Sequence, residues 1–184
     1  MEKVFGITST SNNSFTVNLH SGHLAYSAGC VAVLYDPREN KQVRFFPSRG
    51  NKTIQCLSFS SNGRYLAVGE VAFTLFLSAS EITEAQSGHR PSTVVWDLET
   101  KQTVAELEGH KYGVGCVCFS HSGNYLVSVG VQHDGYIYFW DVKSAKMIDC
   151  RKTSSQVFIP RCPYEHSMHA SSYSTDLFNC VCWR

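Results

Sequence analysis

Cys56-Leu57-Ser58-Phe59-Ser60-Ser61-Asn62-Gly63-Arg64-Tyr65-Leu66 and Cys116-Val117-Cys118-Phe119-Ser120-His121-Ser122-Gly123-Asn124-Tyr125-Leu126 are two copies of one segment, identical at six of eleven positions and 60 residues apart. A second pair, Val94-Val95-Trp96-Asp97 and Tyr138-Phe139-Trp140-Asp141, repeats at an offset of 44. The offsets differ by 16, the length of Val71 to Gln86, which has no counterpart in the later copy. With that stretch set aside, one period of 44 describes both pairs. Repetition at such a period is the mark of an array of small structural units. A weaker first copy runs from Leu24-Ala25-Tyr26-Ser27-Ala28-Gly29 through Cys30-Val31-Ala32-Val33-Leu34-Tyr35-Asp36, with Tyr35 in the place of the tryptophan.

Each copy alternates short apolar runs with turn residues. An apolar run ends in Phe-Ser, a Ser/Asn/Gly turn follows, then a Tyr-Leu strand, a hairpin and a strand ending in Trp-Asp. The runs Val114 to Phe119 and Ile137 to Trp140 are apolar on both faces, as expected of strands sandwiched between neighbouring sheets. The fold class that follows is all-β, with up to four strands per unit.

Gly109-His110 opens the best copy and Trp140-Asp141 closes it, and Ser128 and Asp134-Gly135 lie between. This spacing resembles the WD-repeat β-propellers. The resemblance implies about two complete blades plus one partial, hence an incomplete propeller. It also implies a hydrogen-bonded structural tetrad of His110, Ser128, Asp134 and Trp140, with Trp96-Asp97 and Trp140-Asp141 as the repeat-closing pairs.

Loop motifs narrow the resemblance. Glu2-Lys3-Val4 with Gly6-Ile7-Thr8, Ala28-Gly29-Cys30-Val31, Asp36-Pro37-Arg38-Glu39-Asn40-Lys41-Gln42, Gly88-His89-Arg90-Pro91, Gly109-His110-Lys111-Tyr112-Gly113-Val114 and Gln132-His133-Asp134 are similar to one scaffold family. It is the family of mitogen-activated protein kinase-binding protein 1 and its microcephaly-associated spindle-pole WD-repeat paralogue. In that family Gly69-Glu70 would lead almost directly into Gly88-His89-Arg90-Pro91, which makes Val71 to Gln86 a foreign insert. Members are also much longer, with a tail that carries kinase docking and self-association. The resemblance implies a non-catalytic scaffold of the c-Jun N-terminal kinase pathway or the spindle pole, placed in the cytoplasm, the centrosome or the spindle pole.

Domain organisation follows the repeats: residues 1–157 form a WD-repeat segment interrupted at 71–86, and 158–184 form a non-repeat tail, expected to be disordered. Pro160 and Pro163 flank the place where the next unit would bring its Phe-Ser, and proline is poorly tolerated in central strands. The apolar, uncharged run Val71-Ala72-Phe73-Thr74-Leu75-Phe76-Leu77 reads either as a partner-binding loop or as extra sequence from transcript processing.

Composition excludes several classes. Lys plus Arg number 16 against 15 for Asp plus Glu, a net charge of +1, so nothing drives binding to nucleic acid or anionic lipid. At 43% hydrophobic and 17% charged the chain is a packed globular protein. No secretory signal is readable at the start, and the longest apolar run is too short to span a bilayer. The 8 cysteines are therefore read as reduced and mostly buried, Cys56 and Cys116 filling equivalent core positions.

Rival chemistries are weighed on the same residues. His110, Ser128 and Asp134 are the residue types of a hydrolase triad, but no Gly-x-Ser-x-Gly elbow accompanies them. Cys162, His166, His169, Cys180 and Cys182 are zinc ligands by type, yet their spacings match no common structural zinc pattern. Gly109-x-x-x-Gly113-x-Gly115 lacks the Lys-Ser/Thr of a phosphate loop. The expectation is no cofactor, no metal and no catalysis, with other proteins as partners at rim and loops and self-association through exposed blade edges.

Overall fold

The computed structural model describes residues 3–9, 12–71 and 91–153. Among them twelve strands form three four-stranded antiparallel sheets. The first holds β1 (Phe15–Val17), β2 (Leu24–Ala28), β3 (Val31–Asp36) and β4 (Lys41–Pro47). The second holds β5 (Thr53–Phe59), β6 (Tyr65–Val71), β7 (Ser92–Asp97) and β8 (Thr103–Glu108). The third holds β9 (Val114–Phe119), β10 (Tyr125–Gly130), β11 (Tyr136–Asp141) and β12 (Lys146–Lys152). The chain is all-β, and the first copy, weak in sequence, also completes four strands with a three-residue β1. Val71 closes β6, buried and bridged to Gly113, so the strand reaches one residue into the stretch assigned to the insert. The rest of that stretch, Gly88-His89-Arg90 and the tail lie outside the described residues.

Turn chemistry sets the strand lengths. After β5 and β9, the Ser60 and Ser120 amides donate to the carbonyls of Tyr65 and Tyr125, whose own amides donate back to the serine hydroxyls. Gly63 and Gly123 return a bond to those serines with φ of 68° and 71°, a left-handed conformation that costs glycine nothing. After β3, β7 and β11 an aspartate takes over. Asp36 accepts from the amides of Arg38 and Glu39, Asp97 from Glu99 and Thr100, and Asp141 from Lys143 and Ser144. Four residues beyond each aspartate the chain turns left-handed at a residue other than glycine: Asn40 at 52°, Lys101 at 69° and Ala145 at 53°. Each partner register also slips by one at the aromatic position, between Leu34 and Tyr35, Val95 and Trp96, and Phe139 and Trp140. The aromatic-Asp pair therefore marks a bulge followed by a side-chain-capped turn.

Equivalent pairings Leu24↔Tyr35, Leu66↔Trp96 and Leu126↔Trp140 place the three sheets in one register. They pack face to face in chain order. Ala25, Ala32, Leu34 and Phe46 of the first sheet meet Ile54, Leu57, Leu66 and Val68 of the second. From the other side of the second sheet Cys56, Ala67, Val95, Ala105 and Leu107 meet Val114, Val117, Phe119, Leu126 and Trp140 of the third. Middle strands are the most buried, while the last strands bury little: Phe46 in β4, Ala105 and Leu107 in β8, and nothing in β12. Hairpins cross-link the sheets: Asn18 Nδ2 donates to the Gly63 carbonyl at 2.7 Å, and Ser61 donates to the carbonyl of His121.

Cysteine burial departs from expectation. Of the five described cysteines, all free thiols, Cys56 is buried, Cys30, Cys116 and Cys118 are half-buried and Cys150 is exposed. Cys56 and Cys116 are register equivalents, but Cys116 lies on the side of the third sheet that no described sheet covers.

Candidate functional site

The third sheet gathers the polar residues. His110 lies between β8 and β9, Ser128 is central in β10, Asp134 sits in the β10–β11 hairpin and Trp140 lies in β11. All four are buried, Ser128 at 0% and His110 at 1% exposure. Trp140 Nε1 donates to Ser128 Oγ at 2.8 Å, Ser128 Oγ lies 2.8 Å from His110 Nε2, and His110 Nδ1 lies 2.5 Å from Asp134 Oδ2. One polarity satisfies every member. An indole can only donate, so the serine hydroxyl accepts from it and gives its own proton to Nε2. His110 then carries its proton on Nδ1, facing the carboxylate.

Asp134 anchors the loop that holds His110. Its Oδ1 accepts from the amides of Lys111 at 2.7 Å and Tyr112 at 3.3 Å. Burial alone would raise its pKa, but the His110 hydrogen bond and the Lys111 amide more than offset this and leave the carboxyl below its ordinary range. Tyr138 closes the other side. Its ring meets His110 edge-on at 4.7 Å, stacks with Trp140 at 5.5 Å, and its hydroxyl donates to the Gly109 carbonyl at 3.0 Å.

Two glycines make room for this packing. A Cβ on Gly130 would lie 2.3 Å from Asp134 Oδ2, and one on Gly109 would lie 3.0 Å from Trp140. Neither Gly130 nor Tyr138 is singled out by the repeat pattern, although a glycine ending an apolar strand signals a close approach.

The other aromatic-Asp pair is built differently. Val68 holds the register place of Ser128 in the second sheet, so hydrocarbon fills the position of the hydroxyl. Trp96 packs on Phe46 at 5.4 Å. Asp97 is buried and takes both Arg64 Nε and Nη2 on Oδ2, at 3.0 and 2.8 Å. Burial raises its pKa, and the Arg64 bonds with the turn amides outweigh that and lower it. Asp141 has the turn-capping role at a half-buried position.

Glu70, quoted above only as part of a loop motif, is buried at the end of β6. Its Oε2 accepts from the Ser92 amide and hydroxyl at 3.3 and 3.0 Å, while Oε1 has no hydrogen-bond partner among the described residues. Lys52 lies close enough that burial lowers its pKa against the opposing charges of Glu70 and Glu108.

Chemically, the third-sheet chain is closed. The Ser128 hydroxyl is engaged at both ends and has no exposed surface, whereas a nucleophile must reach its substrate. No group of three metal-ligating side chains occurs among the described residues, and Cys162, His166, His169, Cys180 and Cys182 lie outside them. No described helix is long and apolar enough to cross a membrane.

The family model for "WD domain, G-beta repeat" matches residues 40–77 and 101–141. This chain carries WD repeats. The sheet that contains Trp140-Asp141 holds the buried polar chain, and the sheet that contains Trp96-Asp97 has hydrocarbon in its place. Mouse WD repeat-containing protein 62 is 41% identical over 116 residues, 63% of this WD-repeat chain. Mouse mitogen-activated protein kinase-binding protein 1 is 42% identical over 114 residues, 62% of the chain. The chain spans about 6% of the length of each of these relatives. Cilia- and flagella-associated protein 52 of Chlamydomonas reinhardtii is 28% identical over 148 residues, 80% of the chain and 22% of the relative.

Proposed function

We propose that this WD-repeat chain is a non-catalytic protein-interaction segment of a scaffold in the mitogen-activated protein kinase, c-Jun N-terminal kinase, pathway or at the spindle pole. The observation that carries it is the enclosure of the most reactive-looking residues: His110, Ser128, Asp134 and Trp140 spend their hydrogen bonds on one another inside the sheet. What remains outward is rim and loop, the surface a repeat array offers to other proteins. The kinase pathway rests on the name of mitogen-activated protein kinase-binding protein 1, and the spindle pole on the resemblance carried by the loop motifs. The segment works in the cytoplasm, at the centrosome or at the spindle pole, with no role for nucleic acid, membrane or cofactor. The tetrad and the repeat-closing pairs are structural, and the functional unit ends at residue 157, before the tail 158–184.

Proximity labelling from the tagged full chain in dividing cells tests this reading. Enrichment of c-Jun N-terminal kinase pathway or spindle-pole proteins over an unrelated WD-repeat control is the expected result. A labelled set identical to the control would overturn it.

A second reading is favoured by the register. Setting aside Val71 to Gln86 restores the common period of 44, which points to a processed or truncated product without an independent role. Deleting 71–86 would then raise stability, and the full chain would unfold without a cooperative transition.

A further inference from the structure

Among the described residues β4, β8 and β12 end their sheets, each paired with another strand on one side only. β4 and β8 are followed by further sheets in the chain and still stand at an edge, so this position comes from strand order within a sheet. β12 is the barest of the three. Six of its seven residues are exposed and none is buried, with Met147 at 51% and Ile148 at 48% exposure. Such an edge offers unpaired backbone groups to an extended chain that reaches it.

The hydrogen bonds show which backbone groups face outward. Just past β12 the Thr153 amide donates to the Gly135 carbonyl at 2.7 Å, directly across the hairpin. Opposite residues in an antiparallel pair alternate between exchanging bonds and not exchanging them. Arg151 opposite Ile137 therefore faces β11, while Lys152 opposite Tyr136 and Cys150 opposite Tyr138 turn their amides and carbonyls away. The Cys150 amide accordingly donates to its neighbour's carboxylate, Asp149 Oδ1, at 2.8 Å, and Asp149 Oδ2 accepts from Arg151 Nε at 3.0 Å. Asp149 thus occupies the donor that an added strand would use.

Charge selects what such a strand carries. Lys146, Arg151 and Lys152 stand along β12 against the single carboxylate of Asp149, and Lys143 is exposed in the turn before it. The corresponding edge strand β8 carries Glu106 and Glu108 instead. An acidic segment is attracted to the first edge and repelled by the second.

We propose that β12 is the docking edge for an extended acidic segment of another protein, which adds to the four-stranded third sheet as one more strand. It exchanges backbone bonds with Cys150 and Lys152, directs carboxylates toward Lys146 and Lys152, and lays apolar side chains on Met147 and Ile148. Docking displaces Asp149 from the Cys150 amide, which makes that carboxylate a built-in competitor. This deepens the protein-interaction reading and rests on it, but not on which pathway the chain serves.

Fluorescence anisotropy of the full chain with a short labelled peptide alternating valine and glutamate tests it, beside the same peptide with lysine for glutamate. Saturable binding of the acidic probe alone is expected, weakening as salt rises. Cys150→Pro removes an outward amide and no bond to β11, where an edge strand tolerates proline, and should weaken binding about tenfold with an unchanged near-ultraviolet unfolding transition. Lys146→Glu combined with Lys152→Glu should also weaken it about tenfold, without any change to the backbone. Asp149→Ala should tighten it about threefold by freeing the amide. The proposal is overturned if the acidic probe does not bind or binds no better than the lysine probe. It is equally overturned if the proline or double-lysine variant binds as tightly as the wild type, or if Asp149→Ala binds no more tightly. Self-association in sedimentation equilibrium that Cys150→Pro abolishes would overturn it too, because the edge would then serve a second copy. Failure of the probe leaves the proximity-labelling result standing, with partners held elsewhere on the rim, whereas unenriched labelling with intact probe binding refutes the pathway and place alone.

Discussion

At the scale of the residue, the Trp140–Ser128–His110–Asp134 chain is a fully satisfied buried network, and such networks are expensive to break at one member. Ser128→Ala strands the Trp140 indole N–H and His110 Nε2, so a loss of about 1–3 kcal/mol is expected in denaturant unfolding. Val68 in the equivalent place shows that apolar filling is compatible with the register when the partners are apolar as well. Asp134 adds a pH dependence. Its folded-state pKa is depressed, so its contribution is present above the unfolded value of about 3.9 and is lost as pH falls through the lower folded value. Asp134→Asn should therefore be less stable at neutral pH and lose less stability than the wild type on acidification below about pH 4, followed by fluorescence-detected unfolding.

Legibility differed among these residues. His110, Ser128, Asp134 and Trp140 stand where the resemblance to WD-repeat propellers implies a tetrad. Gly130 and Tyr138 were not legible, because their roles follow from a clash with Asp134 and a ring contact with His110 that exist only once β10 and β11 are paired. Gly130→Ala should destabilise the fold by roughly 1–3 kcal/mol in the same assay, since the hairpin carboxylate has to move to admit a methyl group.

At the scale of the element, the turn after each aromatic-Asp pair carries the most transferable rule. A capping aspartate is followed four residues later by a left-handed residue, occupied here by Asn40, Lys101 and Ala145. Asparagine tolerates that conformation, whereas alanine and lysine are strained in it. Ala145→Gly and Lys101→Gly should each stabilise by about 0.5–1 kcal/mol, read from the denaturant midpoint, while Asp141→Ala should cost about 1 kcal/mol through loss of the Lys143 and Ser144 caps. Strand positions were largely legible because short apolar runs and the Gly-containing turns between them act locally. The four-stranded first copy was harder to read, since β1 is three residues long and its pairing with β2 depends on register more than on composition.

At the scale of the whole molecule, the three sheets bury each other in series. The second sheet, covered on both sides, holds Cys56, Ala67 and Val95 at 0% exposure. The third is covered by a described sheet on one side only; on its other side Cys116 is half-buried beside the buried Val127, Val129 and Ile137, whereas Cys56, its register equivalent, is fully buried. A repeat pattern specifies what each face is made of, while burial depends on whether a neighbour is present, so equal sequence predicted equal burial and the structure differs. Stability of such an array is a sum of unit and junction contributions, so damage inside the third sheet propagates to the second through Trp140 and Leu126.

The most direct test of the account is thermal unfolding of the full chain and of Ser128→Ala, followed by near-ultraviolet circular dichroism, which reports the packed Trp140 and Tyr138 rings. The account predicts one cooperative transition in the wild type and a midpoint lowered by about 2–8 °C in the variant. A wild type without a cooperative near-ultraviolet transition, or a variant with an unchanged midpoint, would contradict the claim that a buried polar chain locks WD-type sheets into one structure.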